Sequence, residues 1–186
     1  MKTNKNRYFS DMDGVLAVYP DKNEAWWEFP KIFRYMAQQE KVVKALKKMI
    51  ANGEEVFIIS AYNADFPDAV EGKNYWLDKY LPEIDKEHRI FTVVGKKKTD
   101  YVPGGVQPTD VLLDDYNGNL EAWVEAGGIG IKLLNGLNNK KTWEGACVRA
   151  NGTIKEIVET LTNTAKYFEE TEKEETTTDN KGENVA

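Results

Sequence analysis

Five short apolar runs recur along the chain, each closing on polar residues and each separated from the next by a helical pattern. The runs are Arg7–Asp11, Glu55–Ser60, Arg89–Val94, Asp110–Leu113 and Gly128–Leu134. Rich in β-branched and aromatic residues, they read as short buried strands. Between them Val42, Val43, Leu46, Met49 and Ile50 recur at helical spacing, with Lys47 and Lys48 in the last turns and Gly53 placed to end the helix. A second helix is expected over about Ala69–Tyr80, stopping before Pro82, and a third over about Asn119–Ala126, ending at Gly127-Gly128. A last one carries Ile154, Ile157, Val158 and Leu161 on one face. Strands alternating with helices predict an α/β architecture, a mostly parallel sheet with helices on both faces. Ligands of such sheets bind at the carboxyl ends of the strands, so function is sought there.

Composition narrows the partners. Of 186 residues, 41% are hydrophobic, which suits one compact domain, taken here as residues 1–166. The formal net charge is −6, and residues 167–186 account for most of it, with seven acidic residues against two lysines. Apolar residues nearly vanish after Phe168, so this acidic tail is expected to be disordered. The near-neutral body has no basic stripe, and no stable nucleic-acid partner is expected. One cysteine, Cys147, excludes an internal disulfide framework and a cysteine-based zinc site. One histidine, His88, argues against a multi-histidine metal site. No apolar run approaches a membrane span and the N-terminus lacks a secretory pattern, so a cytoplasmic protein is expected.

The strand ends carry the chemistry. The first run leads into Asp11-Met12-Asp13-Gly14, the second ends in Ser60, the third leads into Lys96-Lys97-Lys98, and the fourth ends in Asp114-Asp115. One rim of the sheet thus gathers four carboxylates, a hydroxyl and a cation. Carboxylates that close raise each other's pKa or demand a cation between them. Hard oxygen ligands with room for water fit Mg²⁺, and the set suits a metal-dependent phosphate site.

In this order the residues resemble the four motifs of the haloacid dehalogenase superfamily of phosphohydrolases. The stretches RYFSDMDGVLA, EVFIISA, KNYWLDKYLPEID, KTDYVPGG, DVLLDDY and IKLLNGLN are similar to bacterial and phage 5′-nucleotidases grouped with the cytosolic type C 5′(3′)-deoxyribonucleotidases, roughly from Arg7 to Trp143. The resemblance implies a Rossmann-like fold with a short cap after the first strand. It also implies a hydrolase that cleaves nucleoside monophosphates through an aspartyl-phosphate. Asp11 would be the nucleophile and Asp13 the general acid and base. Ser60, with backbone N–H groups near Ala61, would bind phosphate. Of the three lysines, register with the family pattern before Tyr101 selects Lys98 as the positive anchor. Asp11, Asp114 and the backbone carbonyl of Asp13 would hold Mg²⁺, with Asp115 behind them or acting through water.

The cap is confined to about residues 17–39. It contains Tyr19, Trp26, Trp27, Phe29, Phe33 and Tyr35, which could stack on a nucleobase or simply pack the cap. A polynucleotide end phosphatase, or another small-molecule phosphatase, stands as the enzymatic alternative. The non-enzymatic alternative is a phosphoacceptor signalling domain, which would carry its acidic pair at the first strand rather than the fourth. Asp11-x-Asp13-Gly14 is not a calcium loop, because the glycine comes too early. Gly128-x-Gly130 lacks a third glycine and reads as a helix end. His88 is expected on a surface turn and Cys147 as a small structural residue.

Overall fold

The computed structural model describes residues 6–19, 30–138 and 142–165. Within them the strands are β1 (Arg7–Ser10), β2 (Glu55–Tyr62), β3 (Arg89–Val93), β4 (Val111–Asp114), β5 (Ile129–Leu134) and β6 (Ala146–Arg149). The helices are α1 (Glu40–Ala51), α2 (Asp68–Tyr80) and α3 (Asn117–Glu125), with α4 over residues 154–165. Trp26, Trp27, Phe29 and the acidic tail lie outside the described residues; the cap is described at residues 17–19 and 30–39.

All six strands pair in parallel, in the order β3-β2-β1-β4-β5-β6. The chain starts in the middle of the sheet and winds out through β2 and β3. It then returns to the other side of β1 and winds out through β4, β5 and β6. The reversal between β1 and β4 opens a crevice at their carboxyl ends, the place where such sheets bind ligands. Receiver-type sheets follow the order 2-1-3-4-5 instead, so the topology speaks against a phosphoacceptor domain.

Alternate residues of each central strand feed two separate cores. Tyr8, Ile58, Val111, Leu113, Ile131 and Leu133 pack with Val42, Leu46 and Met49 of α1, Trp76 and Leu77 of α2, and Ile157 and Leu161 of α4. Phe9, Phe57, Ile59 and Leu112 join Leu120 and Trp123 of α3, together with Trp143. Phe9 stacks on Phe57 with ring centroids 4.9 Å apart. Burial on both faces is why these strands read as unbroken apolar runs. At the end of α1, Gly53 takes φ +87° and the Glu54 amide bonds back to the Met49 carbonyl at 3.0 Å, as the sequence anticipated. Thr153 and Glu156 cap α4 reciprocally, each side chain accepting the other's amide.

Several element ends shift by one or two residues from expectation, and one strand is new. β2 does not stop at Ser60; Ala61 and Tyr62 continue pairing with Thr92 and Val93 of β3. β4 extends through Asp114, which pairs with Lys132. β6 was not anticipated, because an edge strand of four residues buries only Val148 and so shows no apolar run. No helix among the described residues is long and apolar enough to cross a membrane.

Leu112 is fully buried on β4 between Phe9 and Gly130, and the glycine offers no side chain to refill a void. Leu112→Ala is therefore expected to cost about 2–5 kcal/mol, read as a lower urea midpoint at unchanged slope.

Candidate active site

β1 delivers Asp11 to the sheet edge, its amide still bonded to the Leu113 carbonyl at 2.9 Å. The chain then turns, with the Met12 carbonyl accepting the amides of Leu16 and Ala17 at 2.8 Å each. Gly14 makes that turn with φ +80°, and a methyl group there would stand 2.4 Å from Tyr19 and 2.5 Å from an Asp115 carboxylate oxygen. Only glycine fits both the dihedral and the space.

A cavity of about 260 Å³ opens at the rim. Asp11, Asp13, Ala61, Lys98 and Asp115 line it, and an aromatic margin of Tyr19, Phe33, Tyr62, Phe66 and Tyr116 surrounds them. A larger depression of about 590 Å³ lies by the start of α1, around Gln39, Lys41, Asn135 and Arg149. Its volume does not make it the site, because the acidic cluster lies in the smaller cavity.

The site is largely buried and heavily charged. Lys98 is buried, 2.9 Å from Asp11 Oδ1 as an ion pair, and it donates to Asp114 Oδ2 at 2.7 Å. Burial alone would lower its pKa, but the charges of Asp11 and Asp114 outweigh that and hold the ammonium above its usual range. Asp114 Oδ1 accepts from the Tyr116 amide, while its Oδ2 also accepts from Asn119 Nδ2 at 2.9 Å. Asp115 Oδ2 accepts from the side-chain amides of Asn135 at 2.8 Å and Asn138 at 2.7 Å. Burial, together with the charges of Asp11 and Asp114, still pushes the Asp115 carboxyl up to about 7. Asp114 is raised as well, again chiefly by burial.

One oxygen each from Asp11, Asp114 and Asp115 lies within 4.8 Å of the others. Asp11 Oδ1 is buried, with the Lys98 ammonium 2.9 Å away as its charged neighbour. Three buried carboxylates offering hard oxygen donors this close together fit a divalent cation.

Asp13 adds a fourth carboxylate to the site, with Oδ2 paired to Lys73 and a buried Oδ1 that has no hydrogen-bond partner among the described residues. Burial pushes its carboxyl above the ordinary range against the pull of Lys73. Ser60 is fully buried and accepts from Lys73 Nζ at 2.9 Å; Ala61, one residue on, reaches the cavity itself. Lys96 and Lys97 are exposed, and Lys97 instead pairs with Glu125 at 3.5 Å.

Three supporting side chains escaped the sequence reading. Lys73 is one, and Lys132 is another, buried within β5 and donating to the Asp115 carbonyl and Asn117 Oδ1 at 2.6 Å each. Both left a signal, since each is a lysine inside an apolar pattern. Asn135 left none: it sits in a loop, yet its amide bridges the Gly14 carbonyl and Asp115.

A family model described as 5′ nucleotidase, deoxy (pyrimidine), cytosolic type C protein matches residues 8–168. A search of curated proteins by sequence gives no match. Among solved structures, the chain resembles a HAD hydrolase, family IA, variant 3, from Entamoeba histolytica at 11% identity and TM-score 0.57, covering 84% of this chain and 99% of that one. It likewise resembles a D,D-heptose 1,7-bisphosphate phosphatase from Burkholderia thailandensis, also at 11% identity, with TM-score 0.55 and the same coverages. A hydrolase from Pseudomonas syringae follows at 12% identity and TM-score 0.51, covering 78% and 92%. At these identities the likeness speaks for the fold alone, here that of haloacid dehalogenase hydrolases.

Gly14→Ala would push a side chain into Tyr19 and Asp115 from a strained backbone. The variant is expected to lose roughly 1–3 kcal/mol of stability, read from urea unfolding. A midpoint equal to that of the unaltered chain would show that the turn has slack.

Proposed function

Because the chain belongs to the family of cytosolic type C 5′-nucleotidases, matched over residues 8–168, we propose that it hydrolyses nucleoside monophosphates with Mg²⁺ through an aspartyl-phosphate. It is a phosphoric monoester hydrolase of the haloacid dehalogenase type. What supports the finer reading is the meeting of Asp11, Asp13, Lys98 and Asp115 around one cavity with an aromatic margin.

In the first half-reaction the Asp11 carboxylate attacks phosphorus, the bond from phosphorus to the ester oxygen breaks, and Asp13 gives its proton to the departing alkoxide. In the second, water attacks the same phosphorus and yields a proton to Asp13. The aspartyl bond breaks, inorganic phosphate leaves, and both carboxyl groups return to their starting state. Lys98 balances the charge that accumulates on Asp11 and the phosphoryl oxygens. The backbone near Ala61, which lines the cavity, forms the phosphate-facing side, with the buried Ser60 behind it. Asp11, Asp114 and Asp115, with the Asp13 carbonyl, would hold Mg²⁺, which when bound neutralises phosphoryl oxygens and orients the ester. The aromatic margin and the short cap offer flat apolar surface to a base, which a sugar phosphate does not need. A lone cysteine fits the reducing cytoplasm, where the reading places the enzyme.

The deciding experiment is a phosphate-release screen with Mg²⁺ over nucleoside monophosphates, sugar phosphates and 5′-phosphorylated oligonucleotides. Preference for the oligonucleotides would favour an end phosphatase instead. Asp11→Asn is expected to abolish release while the circular dichroism spectrum is unchanged, and full activity of that variant would end the covalent mechanism. Mg²⁺ at a hundred times its dissociation constant is expected to stabilise the unaltered chain by about 2.7 kcal/mol against unfolding. Asp114→Asn should lose most of that response. A melting temperature indifferent to Mg²⁺ would remove the metal from the reading.

A further inference from the structure

We infer that Lys73 is a positioning residue for the hydrolysis, holding one oxygen of Asp13 so that the other faces the ester; this rests on the function proposed above. Lys73 lies in α2 on the stripe Ala69, Gly72, Lys73, Trp76 and Leu77, all buried. An ammonium at 0% exposure is tolerated only when its protons are matched. Here one goes to Asp13 Oδ2 and one to Ser60 Oγ at 2.9 Å, and the face of Phe33 stands 4.4 Å from Nζ. Its partners therefore come from the loop after β1, from β2 and from the cap side of the cavity.

Two observations separate positioning from direct phosphate binding. Lys73 does not line the cavity, whereas Asp13 does. The Asp13 oxygen that Lys73 does not touch is buried and has no hydrogen-bond partner among the described residues. Lys73 thus occupies Oδ2 and leaves Oδ1 as the oxygen that passes a proton to the leaving group. Ser60 anchors Lys73 from behind, so the chain of contacts runs from β2 through the ammonium to the acid.

The leaving group reads this role. A nucleoside alkoxide needs the Asp13 proton to depart, while p-nitrophenolate leaves without it. In the full chain with Mg²⁺, the first-turnover release of nucleoside from a nucleoside 5′-monophosphate should fall about 10²-fold in Lys73→Met, the scale expected of a misplaced catalytic group. First-turnover release of p-nitrophenolate from p-nitrophenyl phosphate should stay within about 3-fold of the unaltered chain, because no proton transfer assists it. In an Asp13→Asn background, Lys73→Met should cost the nucleotide nothing further, because the group it positions is already gone. Circular dichroism and the urea midpoint establish folding. Should Lys73→Met unfold, Lys73→Gln, which keeps an N–H donor but no charge, carries the same comparison. Equal losses on the two esters, or losses that multiply in the double variant, would overturn the positioning role while leaving the proposed function standing. An unaltered chain that releases phosphate from no ester would overturn both.

Discussion

Everything at the working edge follows from placing four carboxyl groups where water is scarce. Asp114 and Asp115 are almost wholly buried, and Asp11 and Asp13 expose little more. Two ammonium groups, Lys73 and Lys98, are buried among them. A buried charge without a partner is strongly destabilising, so each side chain here is held in place by the others. These two lysines do not balance four carboxyl groups, and Asp114 and Asp115 are pushed upward, first by burial and then by their neighbouring carboxylates. A site left short of positive charge suits a cation, and the three oxygens of Asp11, Asp114 and Asp115 within 4.8 Å of one another suit it at that place.

The apolar sheet exists to carry this strain. Central strands buried on both faces give a rigid frame, and the β1/β4 reversal leaves a gap at their carboxyl ends into which loops can project polar groups. The same two strands contribute Phe9, Leu112 and Leu113 to the cores and Asp11 and Asp114 to the site. Stability and chemistry are thus separated along each strand by one or two residues. Sites that break local rules are held by surroundings that obey them.

Legibility in the sequence tracks how a residue acquires its neighbours. Asp11, Asp13 and Asp114-Asp115 were readable because they close apolar strands, and parallel strands bring their carboxyl ends to one edge. Lys98 was readable only through register with a family pattern, since it follows β3 by five residues among three consecutive lysines. Lys73 could have been found: at a buried helical position, between Ala69 and Trp76, a lysine must have a partner. β6 could not, because one buried valine leaves no periodic trace. Asn135 could not either, since its contacts with Gly14 and Asp115 span 121 and 20 residues of sequence and depend on a loop conformation.

Asp11 and Asp13 are two residues apart and share one turn, yet opposite halves of the sheet hold them. Lys98 reaches Asp11 from the connection between β3 and β4, alongside Asp114. Lys73 reaches Asp13 from α2, alongside Ser60. Identical side chains in one loop can take different tasks only when their surroundings differ in this way. The first carboxylate sits beside Asp114 and Asp115, where in the proposed mechanism an attacking oxygen would be oriented and its charge shared. The second is gripped at a single oxygen and otherwise faces the cavity, where in that mechanism a proton would pass in both directions. In the proposed mechanism, a helix buried against β2 would matter to the chemistry as much as the motif loop itself. It supplies the contact that would set the acid apart from the nucleophile.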